Sequence, residues 1–237
     1  MNTKTGNKKS KYGATHWLAA AFILILPLSL PAQEETDPAT SWDGLVEIEA
    51  SRLAAAFIHP EADFGVFRRV AILEPHVAFR SNWERDQNRG RRSHNVRAGD
   101  VERIKSDVAA IFMDVFSEQL EAAGFAVVNY VDEDVLILRP AVIDLDITAP
   151  DTRRSGRSRT YTANAGAATL FIEMFDSLTG DLIGRAVDRR SARRGGGFAV
   201  QANRVSNRAA ARREFRVWAD ALIEFLDQHY IKAEATE

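Results

Sequence analysis

Residues 168–190 read as two β-strands joined by a tight turn, and this hairpin constrains the fold more than any other feature of the sequence. The segments ATLFIEMF and LIGRAVDRR flank the turn residues DSLTGD. Asp176 offers a side chain that caps the turn backbone, and Gly180 tolerates a positive φ angle. Because turns of this kind join antiparallel strands, the hairpin predicts a sheet that is at least partly antiparallel.

The segment before the hairpin, DVLILRPAVIDLDITAP, also has the pattern of a strand. Its apolar and acidic residues alternate with a period of two, as expected of a half-buried antiparallel strand. The alternation places Ile143, Leu145 and Ile147 on one face. It places Asp144 and Asp146 together on the other.

Three further segments are strand-like. Residues 42–60 predict a small hairpin lying over the edge of the domain. Residues 68–83 predict a strand interrupted at Pro75, because proline cannot donate a hydrogen bond to a ladder. Residues 125–131 predict one more strand. Between residues 82 and 99 the sequence is polar and aperiodic, which predicts a long loop.

Two segments have the apolar spacing of amphipathic helices. The first begins with Asp100 as a candidate N-cap and closes at Gly124. The second runs from Ser206 to about Tyr230. Its apolar stripe comprises Ala211, Phe215, Trp218, Leu222, Phe225 and Leu226.

These elements predict the fold class and the domain limits. We expect an α+β domain with a small, mostly antiparallel sheet of four to six strands and two amphipathic helices packed on one face. With 46% hydrophobic residues in 237, the chain can bury its own core. The predicted single domain spans residues 42–232, followed by a disordered tail, residues 233–237.

The N-terminus has the composition of a secretory signal peptide. Four lysines precede the apolar run of residues 17–30, and the small residue Ala32 follows it. Residues 1–32 are therefore interpreted as a signal peptide and residues 33–41 as a linker, which indicates an exported, periplasmic protein. The alternative is an uncleaved membrane anchor, but the run is shorter than the roughly 20 residues that span a bilayer. No transmembrane segment is expected in the mature chain.

The sequence contains no cysteine. This excludes a lipobox, disulfides, thiolate metal sites and thiol nucleophiles. We therefore expect a protein that is not lipid-anchored and is held together by packing alone.

Four stretches of the chain also carry a family resemblance: HPEADFGVFRRVAILEPHVAFRSNW, VFSEQLEAAGFAVV, VLILRPAVIDL and ATLFIEMFDSLTGDLIGRAVDRR. They resemble the DUF3313 family of uncharacterised bacterial envelope proteins. The most specific parts are residues 60–67 and the hairpin that ends in Val187, Asp188 and Arg189. The resemblance implies an exported protein, often lipid-anchored, with no established activity. The missing lipobox cysteine departs from that pattern.

Candidate catalytic residues are few. The sequence has no HExxH, no phosphate-binding loop, no GxSxG and no SxxK motif, and no motif points to a cofactor. Asp144 and Asp146 form the best chemical candidate, because two carboxylates on one strand face suit a hard cation or acid–base chemistry. The alternative is that they form the solvated face of an antiparallel strand.

Arginine dominates residues 151–216, which contain 14 arginines, no lysine and six acids. Arginine suits bidentate contacts to phosphate and carboxylate groups. The alternative is a plain solvated surface. The candidate binding residues lie at or beyond the ends of strands that we expect to end at the same edge of the sheet. They are Arg153, Arg154, Arg157, Arg159, Arg189, Arg190, Arg193 and Arg194.

The sequence thus favours a non-enzymatic periplasmic accessory protein that binds an envelope component or a partner protein. The expected partners are anionic envelope lipid, lipopolysaccharide or an acidic protein, and not nucleic acid, which an exported protein rarely meets. One alternative is a metal-dependent hydrolase that uses Asp144 and Asp146. Another is a carrier of a small apolar ligand between the sheet and its helices.

We expect the mature chain to begin at Gln33 and to be released by osmotic shock, because the apolar run is too short to hold the protein in a bilayer. Amino-terminal sequencing of the protein from the shock fluid checks this. Recovery of the protein in the membrane fraction with residues 1–30 intact would contradict it.

Overall fold

The structure, a computed structural model, describes seven stretches of the chain. They are residues 43–49, 52–89, 95–148, 161–162, 164–193, 200–201 and 204–234. The predicted signal peptide and linker, residues 1–41, lie outside this part. So does most of the predicted tail.

Strands supply most of the elements in the described part of the chain. They are β1 (Val46–Ile48), β2 (Ala55–Ile58), β3 (Arg69–Ile72), β4 (His76–Phe79), β5 (Ala126–Val128), β6 (Val135–Ile147), β7 (Tyr161–Thr162), β8 (Asn164–Asp176), β9 (Leu182–Arg193) and β10 (Val200–Gln201). The helices are α1 (Trp83–Asn88), α2 (Ala98–Ala122) and α3 (Arg204–Glu234), with a 3-10 turn at Phe64–Val66. The helix α3 thus includes residues 233 and 234, which the sequence assigned to a tail.

Eight of these strands form one sheet in the order β1-β2-β9-β8-β6-β3-β5, with β4 also paired to β6. The pairs β1–β2, β2–β9, β9–β8 and β8–β6 are antiparallel. The strands β3, β4 and β5 pair in parallel. The α+β class and the mostly antiparallel sheet are confirmed, but the predicted four to six strands are too few. Pro75 divides one predicted strand into β3 and β4, and the β1–β2 hairpin joins the sheet through β9.

The predicted loop over residues 82–99 is wrong at its start, where α1 forms. Its first residue, Trp83, is 1% exposed and stacks on Phe79 with ring centroids 4.0 Å apart. The Trp83 Nε1–H also donates a hydrogen bond to the Ile147 carbonyl at 3.2 Å. Burial of one large aromatic side chain therefore stabilises a short helix that the polar sequence around it does not predict.

The helices α2 and α3 pack against each other and against one face of the sheet, as the sequence predicted. Phe112 of α2 meets Phe215 of α3 edge-on at 5.4 Å and stacks on Phe116 at 3.9 Å. The helix α2 begins two residues before Asp100. Asp100 accepts a hydrogen bond from the Arg97 amide at 3.3 Å, so it caps the helix from inside the first turn. Across the described stretches, no helix combines the length and apolar character needed to cross a membrane.

A polar contact joins α3 to the centre of the sheet. Trp218 is 1% exposed, and its Nε1–H donates to the Asp188 carboxylate at 2.8 Å. Asp188 is also ion-paired with Arg190 at 2.8 Å. From the sequence, Asp188 is a residue near the end of the hairpin that could pair with an arginine across the sheet. In the structure it anchors the helix.

A bulge in β6 changes the predicted alternation of that strand. Asp144 has a φ of 51°, and the register with β8 shifts between Ile143 and Asp146. Around the bulge the buried residues are Val142 and then Leu145, so burial does not follow the predicted set of Ile143, Leu145 and Ile147. Opposite the bulge, Gly166 has a φ of 147°, and a Cβ there would lie 1.9 Å from the Asp146 carbonyl oxygen. Only glycine fits that position.

We expect Trp218→Ala to lower the free energy of unfolding by about 3–5 kcal/mol, through the lost burial and the cavity left behind. Trp218→Phe keeps most of the apolar contact but removes the donor to Asp188, which should cost about 1–3 kcal/mol. Denaturant unfolding measures both values. Val205→Ala, at a residue 78% exposed on the same helix, is the control and should change stability by less than about 0.5 kcal/mol. An unfolding midpoint for Trp218→Ala equal to that of the parent would show that α3 does not dock in this way.

Candidate functional site

A cavity of about 130 Å³ lies between α2, α3 and the sheet, on the face that the helices cover. Most of its lining is apolar. The larger apolar side chains are Ile104, Val108, Ile111, Val142, Leu145, Ile147, Phe215 and Trp218. The position is one where ligand sites often form, between packed secondary structure elements.

Small residues create this space. Gly166 and Ala168 of β8, Ala192 of β9, and Ala210 and Ala211 of α3 all line the cavity. Protein interiors are otherwise packed to the density of organic crystals, so side chains this small opposite one another leave a gap that their neighbours cannot fill. The bulge that requires Gly166 is thus part of the cavity wall.

The charged residues of the lining are mostly paired. Arg103 lies 3.5 Å from Asp100 and 3.4 Å from Asp107 on the same helix. Arg190 is held by Asp188 and donates to the Arg52 carbonyl at 3.2 Å. These pairs hold the guanidinium groups at the cavity wall and neutralise much of their charge.

Glu214 of α3 also lines the cavity, and the pKa of its carboxyl group is shifted. Burial raises the pKa of its carboxyl group, and the positive charges of Arg190 and Arg213 only partly oppose that effect. The charged carboxylate is therefore less stable in its place beside the cavity than it would be in water.

The structure does not combine Asp144 and Asp146 into a cation site. Asp146 is ion-paired with Arg80 at 3.0 Å, and Arg80 also holds Asp86 at 2.8 Å. Asp144 lies at the bulge with Arg189 at 3.9 Å. Each of the two carboxylates therefore has an arginine as an ion-pair partner. Within the described ranges, no group of three or more His, Cys, Asp or Glu residues is placed to hold a metal ion.

The candidate arginines are only partly described. Arg189 is exposed and donates to the Thr169 hydroxyl at 3.1 Å, whereas Arg190 faces the cavity, so these two neighbours in sequence lie on opposite faces of the sheet. The register pairs Arg193 with Asn164 and Gly166 with Ile147, so β6, β8 and β9 end side by side. Several candidates lie outside the described residues: Arg153, Arg154, Arg157, Arg159, Arg194 and the side chain of Arg193.

Sequence reasoning missed the residues that define the cavity. The signal was present as two clusters of small residues, ANAGAA in residues 163–168 and AAA in residues 209–211. The spacing of these small residues does not identify either cluster as a cavity wall. A cavity forms only where small side chains face each other in the folded chain. Glu214 was likewise one of many charged residues on a helix until its burial was known.

The fold and the cavity define a mixed α/β protein with one helix-covered sheet face and a small, largely apolar cavity between the helices and the sheet. The family model described as "Protein of unknown function (DUF3313)" matches residues 36–222. The chain therefore belongs to the DUF3313 family, as the resemblance indicated.

A comparison with solved structures finds matches at low sequence identity. Protein XCC0632 from Xanthomonas campestris, of the DUF330 family, is 11% identical with a TM-score of 0.42, and the match covers 74% of this chain and 93% of that one. The PelC dodecamer from Paraburkholderia phytofirmans is 9% identical with a TM-score of 0.32, covering 73% and 94%. A putative neuraminyllactose-binding hemagglutinin homolog from Helicobacter pylori is 11% identical with a TM-score of 0.34, covering 70% and 89%. No curated protein matched the sequence.

We expect Glu214→Gln to be more stable than the parent at neutral pH. Burial raises the pKa of Glu214 in the folded state, so folding favours the protonated carboxyl group. The stability contributed by this group is fully present below the ordinary pKa of about 4.3 and is lost as the pH rises through the raised pKa. The advantage of the variant should therefore vanish near pH 4 or below. Urea unfolding at several pH values measures it.

Glu121→Gln is the matched control, because it removes the same charge from the exposed surface of α2. It should not gain stability at neutral pH in the same way. Equal stability of the parent and Glu214→Gln across the whole range would show that water reaches the Glu214 carboxylate freely.

Proposed function

We propose that this protein is an exported, non-enzymatic binding protein whose cavity takes the apolar group of an envelope component, such as the end of a lipid acyl chain. The observation that carries the proposal is the cavity itself. Its volume of about 130 Å³ is close to the roughly 150 Å³ of an engineered apolar cavity that stays dry and binds benzene. A ring of that size, or a short length of acyl chain, fits.

The chemistry of the lining supports binding rather than catalysis. The described residues around the cavity include no serine, threonine, tyrosine, lysine or histidine, so no hydroxyl or amine nucleophile with an adjacent base is supplied there. The guanidinium groups of Arg103 and Arg190 are engaged by Asp107 and Asp188. Apart from Asn207, Arg208 and Glu214 of α3, what is left for a ligand is an apolar surface.

The sequence supports an envelope location for this binding. Residues 1–32 have the composition of a secretory signal peptide, and lipid chains are the abundant apolar ligands of that compartment. Each methylene that moves from water into the cavity contributes about 0.8 kcal/mol. A short chain can therefore be held without any ion pair.

A second candidate is the binding of anionic envelope surface by the arginine-rich segments. It is favoured by the side-by-side ends of β6, β8 and β9, because the chain leaves these ends into the segments that carry Arg153 to Arg159 and Arg194. Gly166 and Ala192, close to these strand ends, also line the cavity. A lipid with an acyl chain and a phosphate is the ligand that would use both features.

A series of linear alcohols from butanol to octanol tests the cavity by calorimetry and by the thermal shift of the full chain. We expect affinity to rise about fourfold for each added methylene and to level off once the chain is longer than the cavity. Ala168→Ile should abolish the rise by filling the space. Thr169→Ile is the control, since it adds bulk at the next residue of β8, on the opposite face, and should leave binding unchanged.

Equal binding by the parent and Ala168→Ile would place the alcohols elsewhere and contradict the proposal. So would the absence of a chain-length dependence. Mass spectrometry of the organic extract of purified protein then identifies the natural ligand.

A further inference from the structure

Two turns at the end of the sheet away from the cavity carry large apolar side chains. The turn before β6 exposes Tyr130 (49%) and Val131 (62%), and the turn between β8 and β9 exposes Leu178 (63%). Turn positions are normally taken by glycine, proline and small polar residues. We call the three side chains the turn patch.

The two turns form one surface. The Asp132 amide donates to the Ser177 hydroxyl at 3.1 Å, and the same hydroxyl donates to the Asp132 carbonyl at 2.6 Å. Arg69 ties the first turn to the sheet, with contacts to Asp132, Asp134 and the Tyr130 hydroxyl. Side chains from both turns are therefore presented together.

The second turn is also held in one shape. The Asp176 carboxylate accepts hydrogen bonds from the Leu178 amide at 2.7 Å and the Thr179 amide at 3.1 Å, and Gly180 takes a φ of +74°. A rigid surface loses little conformational entropy when it binds. Exposed apolar side chains on such a surface are typical of an interaction site.

Acidic residues surround the turn patch. Glu133 and Asp181 are exposed, and Asp132 and Asp176 are partly exposed. The cations beside the first turn are Arg69, which is engaged by Asp132 and Asp134, and its neighbour Arg68. The carboxylates around the two turns outnumber these guanidinium groups, which leaves an excess of negative charge. An anionic membrane surface would be repelled, whereas a positively charged polypeptide would be attracted.

We propose that the turn patch docks a segment of a partner protein that combines basic and apolar side chains. The apolar residues would contact Tyr130, Val131 and Leu178, and the basic residues would pair with the surrounding carboxylates. The site is separate from the cavity, so it adds a protein partner to a protein that already binds an apolar ligand.

Selection from a library of random displayed peptides tests the proposal, with the full chain as the bait. Peptides that bind the Val131→Ser, Leu178→Ser double variant are removed before each round. Both substitutions are at exposed positions, so the fold should persist. We expect the selected peptides to be enriched in lysine or arginine together with apolar residues.

Synthetic copies of the selected peptides then measure affinity. Binding should fall about tenfold or more in the Val131→Ser, Leu178→Ser variant and in a Glu133→Lys, Asp181→Lys variant. It should also weaken as salt concentration rises. Val205→Ser, at an exposed apolar residue of α3, is the matched control and should leave affinity unchanged.

Three results would overturn the inference. One is a failure of the peptide test: the selected peptides lack basic residues, or they bind the parent and both variants with equal affinity. Another is binding to vesicles of phosphatidylcholine and phosphatidylglycerol that requires Val131 and Leu178, which would make the turn patch a membrane contact. The third is a concentration-dependent dimer lost in the same variant, which would assign the turn patch to a second copy of the chain.

Discussion

The rest of the structure depends on the contact between Trp218 and Asp188. Asp188 is the one charged side chain among the buried residues of the described part, and a buried carboxylate without partners costs several kcal/mol. The Trp218 indole and the Arg190 guanidinium supply those partners. Because the indole can reach Asp188 only when α3 lies across β9, one interaction fixes the depth and the register of the helix. The apolar stripe of α3 then packs on the sheet beside α2.

The cavity follows from the same arrangement. The contact holds α3 at a fixed height over the sheet, and the alanines and glycine near the ends of β8 and β9 do not fill the space beneath it. Trp218 itself lines the cavity, so the contact that docks α3 also forms part of the cavity wall. Stability and the proposed binding role rest on the same residues.

The two faces and the two ends of the sheet have different chemistry. The face opposite the helices carries a cross-strand row in which Arg139 and Arg185 both pair with Glu173, and such a row fixes register without needing a covering helix. One end of the sheet holds the cavity and the start of the arginine-rich segments. The other end presents apolar side chains among carboxylates. Two different partners, one apolar and one basic, would thus meet the protein at separate places.

Elements whose signals are local could be predicted from the amino-acid sequence alone. The Asp176–Gly180 turn, the break at Pro75 and the apolar stripe of α3 are each set by neighbours along the chain, and they established the α+β class. The remaining features could be seen only in the folded chain. The helix at Trp83, the bulge opposite Gly166, the role of Asp188 and the cavity all depend on residues distant in sequence. Period and propensity describe how a segment behaves alone, whereas a gap or a buried ion pair exists only between segments that packing has brought together.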